Sequence, residues 1–371
     1  MKKLLIVADS PGSAEFIAPV IPLLQKKTKI VVVTVNTSTE APYTILKKYK
    51  PLRCDHEKDA EALFRKIKPD ILLAGTSSLI PGPFVNNCFI RLMHREQKPV
   101  LVFQDYWANH RWPQNKETLH LWNAVFVPDE LAKKFLQEDA FSGNIITTGN
   151  PAFDKFTTAN PAAIRNALRK ELNIRGYEFV ILYAGTGTPQ AWQEDEATFR
   201  FLANALQEFF ANTPNIVFIP RSHPRDEEKN RYQKLAPRLR MYNPDHGKNI
   251  YSTDNLLLMA DCIISMYSTA LLHACFLKIP AISILLPDAG RARLRKINLD
   301  NFPPNTVGAT IGVYKESTKD LVAAFDAVKN DPHYRQKITN AQTQFFSLAQ
   351  NKKSATETAA DAITSFIRPA A

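Results

Sequence analysis

No apolar run in this 371-residue sequence approaches the roughly 20 residues that a bilayer-spanning helix needs. The opening MKKLLIVADSPG holds only about six apolar residues before Asp9, short of the roughly 7–15 of a secretory signal core, and reads as a first strand. The four cysteines, Cys54, Cys88, Cys262 and Cys275, lack paired spacing. That excludes a disulfide scaffold and a Cys-x-x-Cys metal site, and leaves buried free thiols in a reducing cytoplasm. Glycines are missing where nucleotide fingerprints need them. Gly12 follows the first strand alone, without the second and third glycines of a dinucleotide loop, and Gly185–Thr188 lacks the Gly-Lys-Ser/Thr of an ATPase phosphate loop. No Asp-x-Asp metal motif is present, so no metal or other cofactor is expected.

Acidic side chains are also scarce: 47 Lys and Arg face 36 Asp and Glu, a formal net charge of +11. The basic clusters LKKYK (Leu46–Lys50) and RARLRK (Arg291–Lys296) lack the aromatic interleaving of a base-stacking surface, so no nucleic-acid partner is expected. A diffuse positive field favours anionic substrates or an anionic lipid surface. The location that follows is cytoplasmic, peripheral at the inner membrane face.

What is present is a soluble, globular composition, 45% hydrophobic and 22% charged, on a chain too long for one ordinary core. Short, continuously apolar runs alternate with amphipathic stretches. LLIVAD, KIVVVTV, DILLAG, PVLVFQD, NAVFVP and NIITTG are followed by FVILYAG, NIVFIP, DCIIS and AISILL. Runs of this kind are strands buried on both faces by helices. The fold class is therefore α/β, with two doubly wound, parallel-sheet (Rossmann-like) domains facing a cleft. Gly149-Asn150-Pro151 stops one strand and Asn160-Pro161 opens a helix, which puts the domains at residues 1–155 and 156–353. A last helical segment, 354–371, can return to the first domain.

Ligands of such sheets sit beyond the carboxyl ends of the strands. After the first strand, Pro11-Gly12 makes a tight turn and Ser13 is placed to cap a short helix containing Glu15, which Pro19 and Pro22 would interrupt. After PVLVFQD, the run DYWANHRW gathers Asp105, Trp107, His110 and Arg111. An acid, an imidazole and a guanidinium beside aromatic faces suit a sugar and the removal of a proton from its hydroxyl. The expected catalytic residues are Glu15, Asp105 and His110, with Gly12, Ser13, Trp107 and Arg111 on the acceptor side. In the second half, Gly185 and Thr186 follow one strand and Arg221 and His223 the next. In SMYSTALLHAC, Ser268 or Thr269 caps a helix whose free amides and positive end suit an anion, with Tyr267 before it and His273 one turn on. Each position also has a plainer reading: a structural turn, a surface charge or a core histidine.

Taken together, TGNPAFDK (Thr148–Lys155), RSHP (Arg221–Pro224) and LLLMADCIISMYSTALLHACFLKIPAI (Leu256–Ile282) resemble the GT-B glycosyltransferase superfamily. That superfamily includes the hydrolysing UDP-sugar 2-epimerases and the CDP-alditol transferases. The resemblance implies a nucleotide-binding second domain and an acceptor-binding first domain. Ser268 and Thr269 would hold phosphate, with His223 nearby, while His273 stands where the superfamily often has a ribose-gripping Glu. The epimerases carry Gly-Thr-Arg-Pro-Glu after the first strand, where this chain has DSPGSAE, and that departure counts against epimerase chemistry. The implied activity is metal-independent sugar transfer from a nucleotide-sugar donor, used as substrate, to a carbohydrate or lipid-linked acceptor in polysaccharide or glycolipid synthesis. A UDP-sugar 2-epimerase, a CDP-alditol or CMP-sugar transferase and a non-catalytic nucleotide-binding scaffold are the alternatives.

Overall fold

A computed structural model of the protein describes residues 1–35, 41–76, 85–157, 161–185, 193–221, 240–241, 252–288, 290–346 and 353–367. The chain divides into two compact units, 1–157 with 348–371, and 158–347. Each is built on one parallel sheet with helices.

The first sheet comprises β1 (Lys3–Ala8), β2 (Lys29–Thr34), β3 (Leu52–Arg53), β4 (Ile71–Gly75), β5 (Val100–Phe103), β6 (Ala124–Val127) and β7 (Asn144–Thr147). Their order across the sheet is β3-β2-β1-β4-β5-β6-β7. Strand order therefore reverses between β1 and β4, and β1 pairs with both β2 and β4 in parallel. The inner strands β4, β5 and β6 are buried at every residue, whereas the edge strand β7 is half-exposed. Continuous apolar sequence is what such two-sided burial requires.

The second sheet comprises β8 (Phe179–Ala184), β9 (Ile216–Arg221), β10 (Arg240–Met241), β11 (Cys262–Ser265), β12 (Ala281–Ile284) and β13 (Ile311–Val313), in the order β10-β9-β8-β11-β12-β13. Here the reversal lies between β8 and β11. All ten strands read from the sequence are present. The three not foreseen, β3, β10 and β13, are edge strands of two or three residues, too short to carry a pattern.

The helix Ala355–Ile367 belongs to the first unit. Its Ala359, Ala360, Ile363 and Ile367 join the core formed by Leu4, Ile6, Phe16, Phe103 and Phe126. Asp154 caps it: the two carboxylate oxygens accept from the amides of Ala355 and Thr356 at 3.3 and 2.7 Å. The TGNPAFDK run, read as a family marker, thus has a structural duty in this fold.

Asp261, the acid of the Ala260-Asp261 pair, has a comparable duty in the second unit. It accepts from Arg165, from Arg169 at 2.5 Å and from the Val180 amide at 2.7 Å. Helix Pro161–Glu171, which carries both arginines, is fixed in this way to the start of β8. Cys54, Cys262 and Cys275 are buried and Cys88 is half-buried, all as free thiols. Burial pushes the Cys54 thiol up to about 12 and the Cys88 thiol to about 11.

Candidate active site

In open parallel sheets the crevice for a ligand forms where strand order reverses. In the first unit that rule selects the turns after β1 and β4 with their neighbour after β5. The turn after β1 enters helix Pro11–Ile17 through Ser10, not Ser13. Ser10 is the N-cap and its hydroxyl accepts from the Ser13 amide, while the Ser13 hydroxyl accepts from the Ser10 amide, a reciprocal capping box. Ser13 is fully buried and packs against β4, where a Cβ on Gly75 would lie 2.0 Å from the Ser13 Cβ. It is a packing residue and not an acceptor contact. The helix ends at Ile17 and a new one runs over Ile21–Leu24, as the two prolines require.

Asp105 sits immediately beyond β5. Its Oδ1 accepts from the Thr76 hydroxyl at 2.9 Å and from the Asn109 side-chain amide at 2.6 Å. Its Oδ2 lies against Gly12, where an added Cβ would come within 1.9 Å. Burial raises the Asp105 pKa above the ordinary carboxylate value; the bonds from Thr76 and Asn109 pull it down, and the charge of Glu15 pushes it up again. The structure therefore brings together Gly12 and Asp105, adds Thr76 and Asn109, and keeps the Glu15 charge within electrostatic range. A carboxylate with a raised proton affinity is equipped for proton transfer.

The remainder of DYWANHRW is occupied otherwise. Trp107 is buried, and its indole N–H donates to Asp129 at 2.6 Å, so it offers no face to a sugar. Arg111 pairs with Asp139 at 2.6 Å and lies over the Phe135 ring. His110 is 1% exposed and both ring nitrogens have partners, Gln104 at 2.9 Å and Asp139 at 2.7 Å. The Gln104 amide is oriented by the backbone: its oxygen accepts from the His110 amide and its nitrogen donates to the Trp107 carbonyl. Nδ1 of His110 consequently carries a proton toward Gln104. Burial lowers the imidazole pKa and the Asp139 contact opposes that fall. Asp139 itself would be raised by burial but is held below the usual carboxylate range by Arg111 and His110. The proton-transfer role expected of His110, and the acceptor contacts expected of Trp107 and Arg111, do not suit these positions; the three side chains brace the loop against helix Glu130–Glu138 and its flanking acids.

In the second unit, Gly185 extends β8 by donating to the Arg221 carbonyl at 2.9 Å, which places both residues at the carboxyl end of the sheet. Thr186 and His223 lie outside the described residues. Ser265 is buried and its hydroxyl donates to the Ala184 carbonyl at 2.7 Å, locking the ends of β11 and β8 together. Helix Thr269–Phe276 then starts at Ser268, whose hydroxyl accepts from the Ala270 amide at 3.2 Å. Thr269 is exposed, Tyr267 and Ser268 are half-buried, and the Arg293 guanidinium lies 5.4 Å from the centroid of the Tyr267 ring. His273 is buried, with Nδ1 2.9 Å from the Asp254 carboxylate. A hydroxyl-flanked helix start with positive dipole end suits the phosphates of a nucleotide.

Thr76 was legible in principle, as the residue following the strand DILLAG; Asp254 and Asp139 reach their histidines only through the tertiary fold. Among the described residues no group of three or more His, Cys, Asp or Glu is arranged to hold a metal ion. Among them, too, no helix is long and apolar enough to cross a membrane.

Several solved structures share this fold. A Listeria monocytogenes protein assigned as a UDP-N-acetylglucosamine 2-epimerase is 15% identical, with a TM-score of 0.72 over 100% of this chain and 97% of that one. The Neisseria meningitidis UDP-GlcNAc 2-epimerase, bound to UDP-GlcNAc, is 17% identical with a TM-score of 0.66, over 94% and 100% of the two chains. Acinetobacter baumannii MurG is 15% identical with a TM-score of 0.62, over 98% and 100%. At these identities the likeness establishes a GT-B-type fold. No curated protein sequence matches this one significantly. The profile of the CDP-glycerol:poly(glycerophosphate) glycerophosphotransferases matches residues 96–363, and the chain belongs to that family.

Proposed function

We propose that the protein transfers an alditol phosphate from a CDP-activated donor to a hydroxyl of a carbohydrate or lipid-linked acceptor. The observation that carries this reading is the helix start at Ser268–Thr269, at the strand-order reversal of the second sheet, in a chain of this family. In the proposed reaction the acceptor hydroxyl gives its proton to Asp105 and its oxygen bonds to the donor's alditol-bearing phosphorus. The pyrophosphate P–O bond breaks and CMP leaves with the electron pair. Amides and hydroxyls at Ser268–Thr269, with Arg221, stabilise the charge that develops on the leaving phosphate. Burial, with a smaller contribution from the charge of Glu15, keeps the proton affinity of Asp105 high.

Sugar transfer from a nucleotide-sugar is the second reading, supported by the fold shared with MurG and with the UDP-GlcNAc-binding epimerase. Epimerisation is third, since DSPGSAE departs from the epimerase pattern after the first strand. The reaction products separate the three. Purified protein incubated with CDP-glycerol or UDP-GlcNAc and a polyol acceptor releases CMP in phosphoalditol transfer and UDP in sugar transfer. An epimerase alters its donor with no acceptor present. Binding without turnover of any donor would overturn the enzymatic reading and leave a scaffold. Exposed Lys47, Lys48, Lys50 and Arg53 in the first unit suit an anionic lipid surface that presents such an acceptor. Sedimentation with anionic vesicles, lost at high salt, tests that surface.

A further inference from the structure

The carboxylate of Asp105 is held unsymmetrically. Oδ1 receives two hydrogen bonds, one from the Thr76 hydroxyl at 2.9 Å and one from the Asn109 amide at 2.6 Å, which fill its two lone pairs. The same Asn109 nitrogen lies 3.3 Å from the Thr76 hydroxyl oxygen, closing a three-membered network in which every donor has an acceptor. Both partners are buried and separately anchored. The Thr76 amide donates to the Phe103 carbonyl at 2.8 Å, and the Asn109 carbonyl accepts from the Asn115 side chain at 2.6 Å. Among the described residues no side chain donates to Oδ2, which faces Gly12, where no side chain fits.

We propose that Thr76 and Asn109 are positioning residues for Asp105: by occupying Oδ1 they make Oδ2, over Gly12, the oxygen that takes the proton from the acceptor hydroxyl. The inference rests on Asp105 being the base of the transfer reaction. In that step the acceptor O–H bond breaks, the proton passes to Oδ2, and the oxygen keeps the electron pair that forms the new bond to the donor. The missing Cβ of Gly12 lets Oδ2 pack close to its backbone, and the fixed rotamer removes the need to orient the base during reaction. The two donors also stabilise the ionised form, opposing the effects of burial and of Glu15 from helix Pro11–Ile17. His110 and Arg111, in the same loop, are engaged with Asp139.

The test reads Asp105 directly, without turnover. The carboxyl carbon of 13C-labelled aspartate is titrated by NMR in wild type, Thr76→Val, Asn109→Ala and Thr76→Ser, with circular dichroism confirming that each variant is folded. Loss of one donor raises the Asp105 midpoint by about one pH unit, and Thr76→Ser, which keeps the hydroxyl, restores the wild-type midpoint. The acid limb of kcat/KM moves upward with the midpoint. An unchanged midpoint in folded Thr76→Val and Asn109→Ala, or a Thr76→Ser midpoint displaced like that of Thr76→Val, overturns the inference whether or not the protein transfers anything. A displaced midpoint in a protein that turns over no donor retains the hydrogen-bond arrangement but overturns its catalytic purpose, together with the proposed transfer reaction.

Discussion

Thr356 donates its backbone amide to the carboxylate of Asp154 across 2.7 Å, although the two residues are 202 positions apart in the chain. The first unit is therefore closed by its own C-terminal helix, with a side-chain cap supplied from the end of the segment that leaves the first sheet. A free amide at a helix start costs stability when its cap is lost, about 1 kcal/mol for Asp→Ala. Asp154→Ala is expected to lower the unfolding free energy by that amount, read as an earlier urea midpoint with an unchanged m-value. Ending the chain at residue 353 has a larger effect, because the two buried isoleucines Ile363 and Ile367 alone contribute roughly 3–6 kcal/mol. The truncated protein should aggregate or expose its core, read by dye binding and loss of the cooperative transition.

Asp261 presents a different case. Its carboxylate joins two arginines and a backbone amide, and Arg169 is buried. Removing the acid leaves a buried guanidinium without its counter-charge, a change that costs about 3–5 kcal/mol. Asp261→Ala should therefore destabilise the second unit far more than Asp154→Ala destabilises the first. Denaturant titration of the two variants side by side checks the ranking.

The Ser268–Thr269 site separates binding from stability. Ser268→Ala removes an N-cap and costs both helix stability and the hydroxyl partner proposed for the phosphate. Thr269 is exposed and caps nothing, so Thr269→Ala should leave the melting temperature unchanged while weakening nucleotide binding by roughly threefold to tenfold. Calorimetry with CDP and UDP reads the difference. Unaltered affinity in both variants would remove the phosphate site from this helix.

Legibility of these features in the sequence followed their physical origin. The ten long strands announce themselves because two-sided burial demands uninterrupted apolar residues, while β3, β10 and β13 escape because an edge pair of two or three residues needs no such pattern. Asp105 was visible because it follows a central strand. The fate of its neighbours was not, since Trp107, His110 and Arg111 are claimed by Asp129 and Asp139 from segments more than twenty residues on. Polar and aromatic clustering alone does not distinguish a binding loop from one braced by distant acids. The cap at Ser10 carried a signal that was misassigned: Pro11 belongs at the first helical position, which makes Ser10, not Ser13, the cap.

The half-buried carboxylate of Asp105 ties the proposed function to a stability cost with a defined pH dependence. Its pKa in the folded protein is raised, principally by burial, so between the unfolded carboxylate value of about 3.9 and the higher folded value the native state binds more protons than the unfolded chain. Stability then falls as pH rises through that window, because the folded protein must ionise a group in a poorly solvating site. Below the unfolded value the penalty is absent. Asp105→Asn keeps an oxygen for Thr76 and Asn109 but removes the ionisation. Its melting temperature should equal that of wild type near pH 3.5 and exceed it at pH 7–8, while group transfer is lost. Paired melting curves across this range, with turnover measured on the same samples, check both halves of the expectation. A variant no more stable than wild type at neutral pH would mean that Asp105 ionises without penalty, and would remove the physical basis for its high proton affinity.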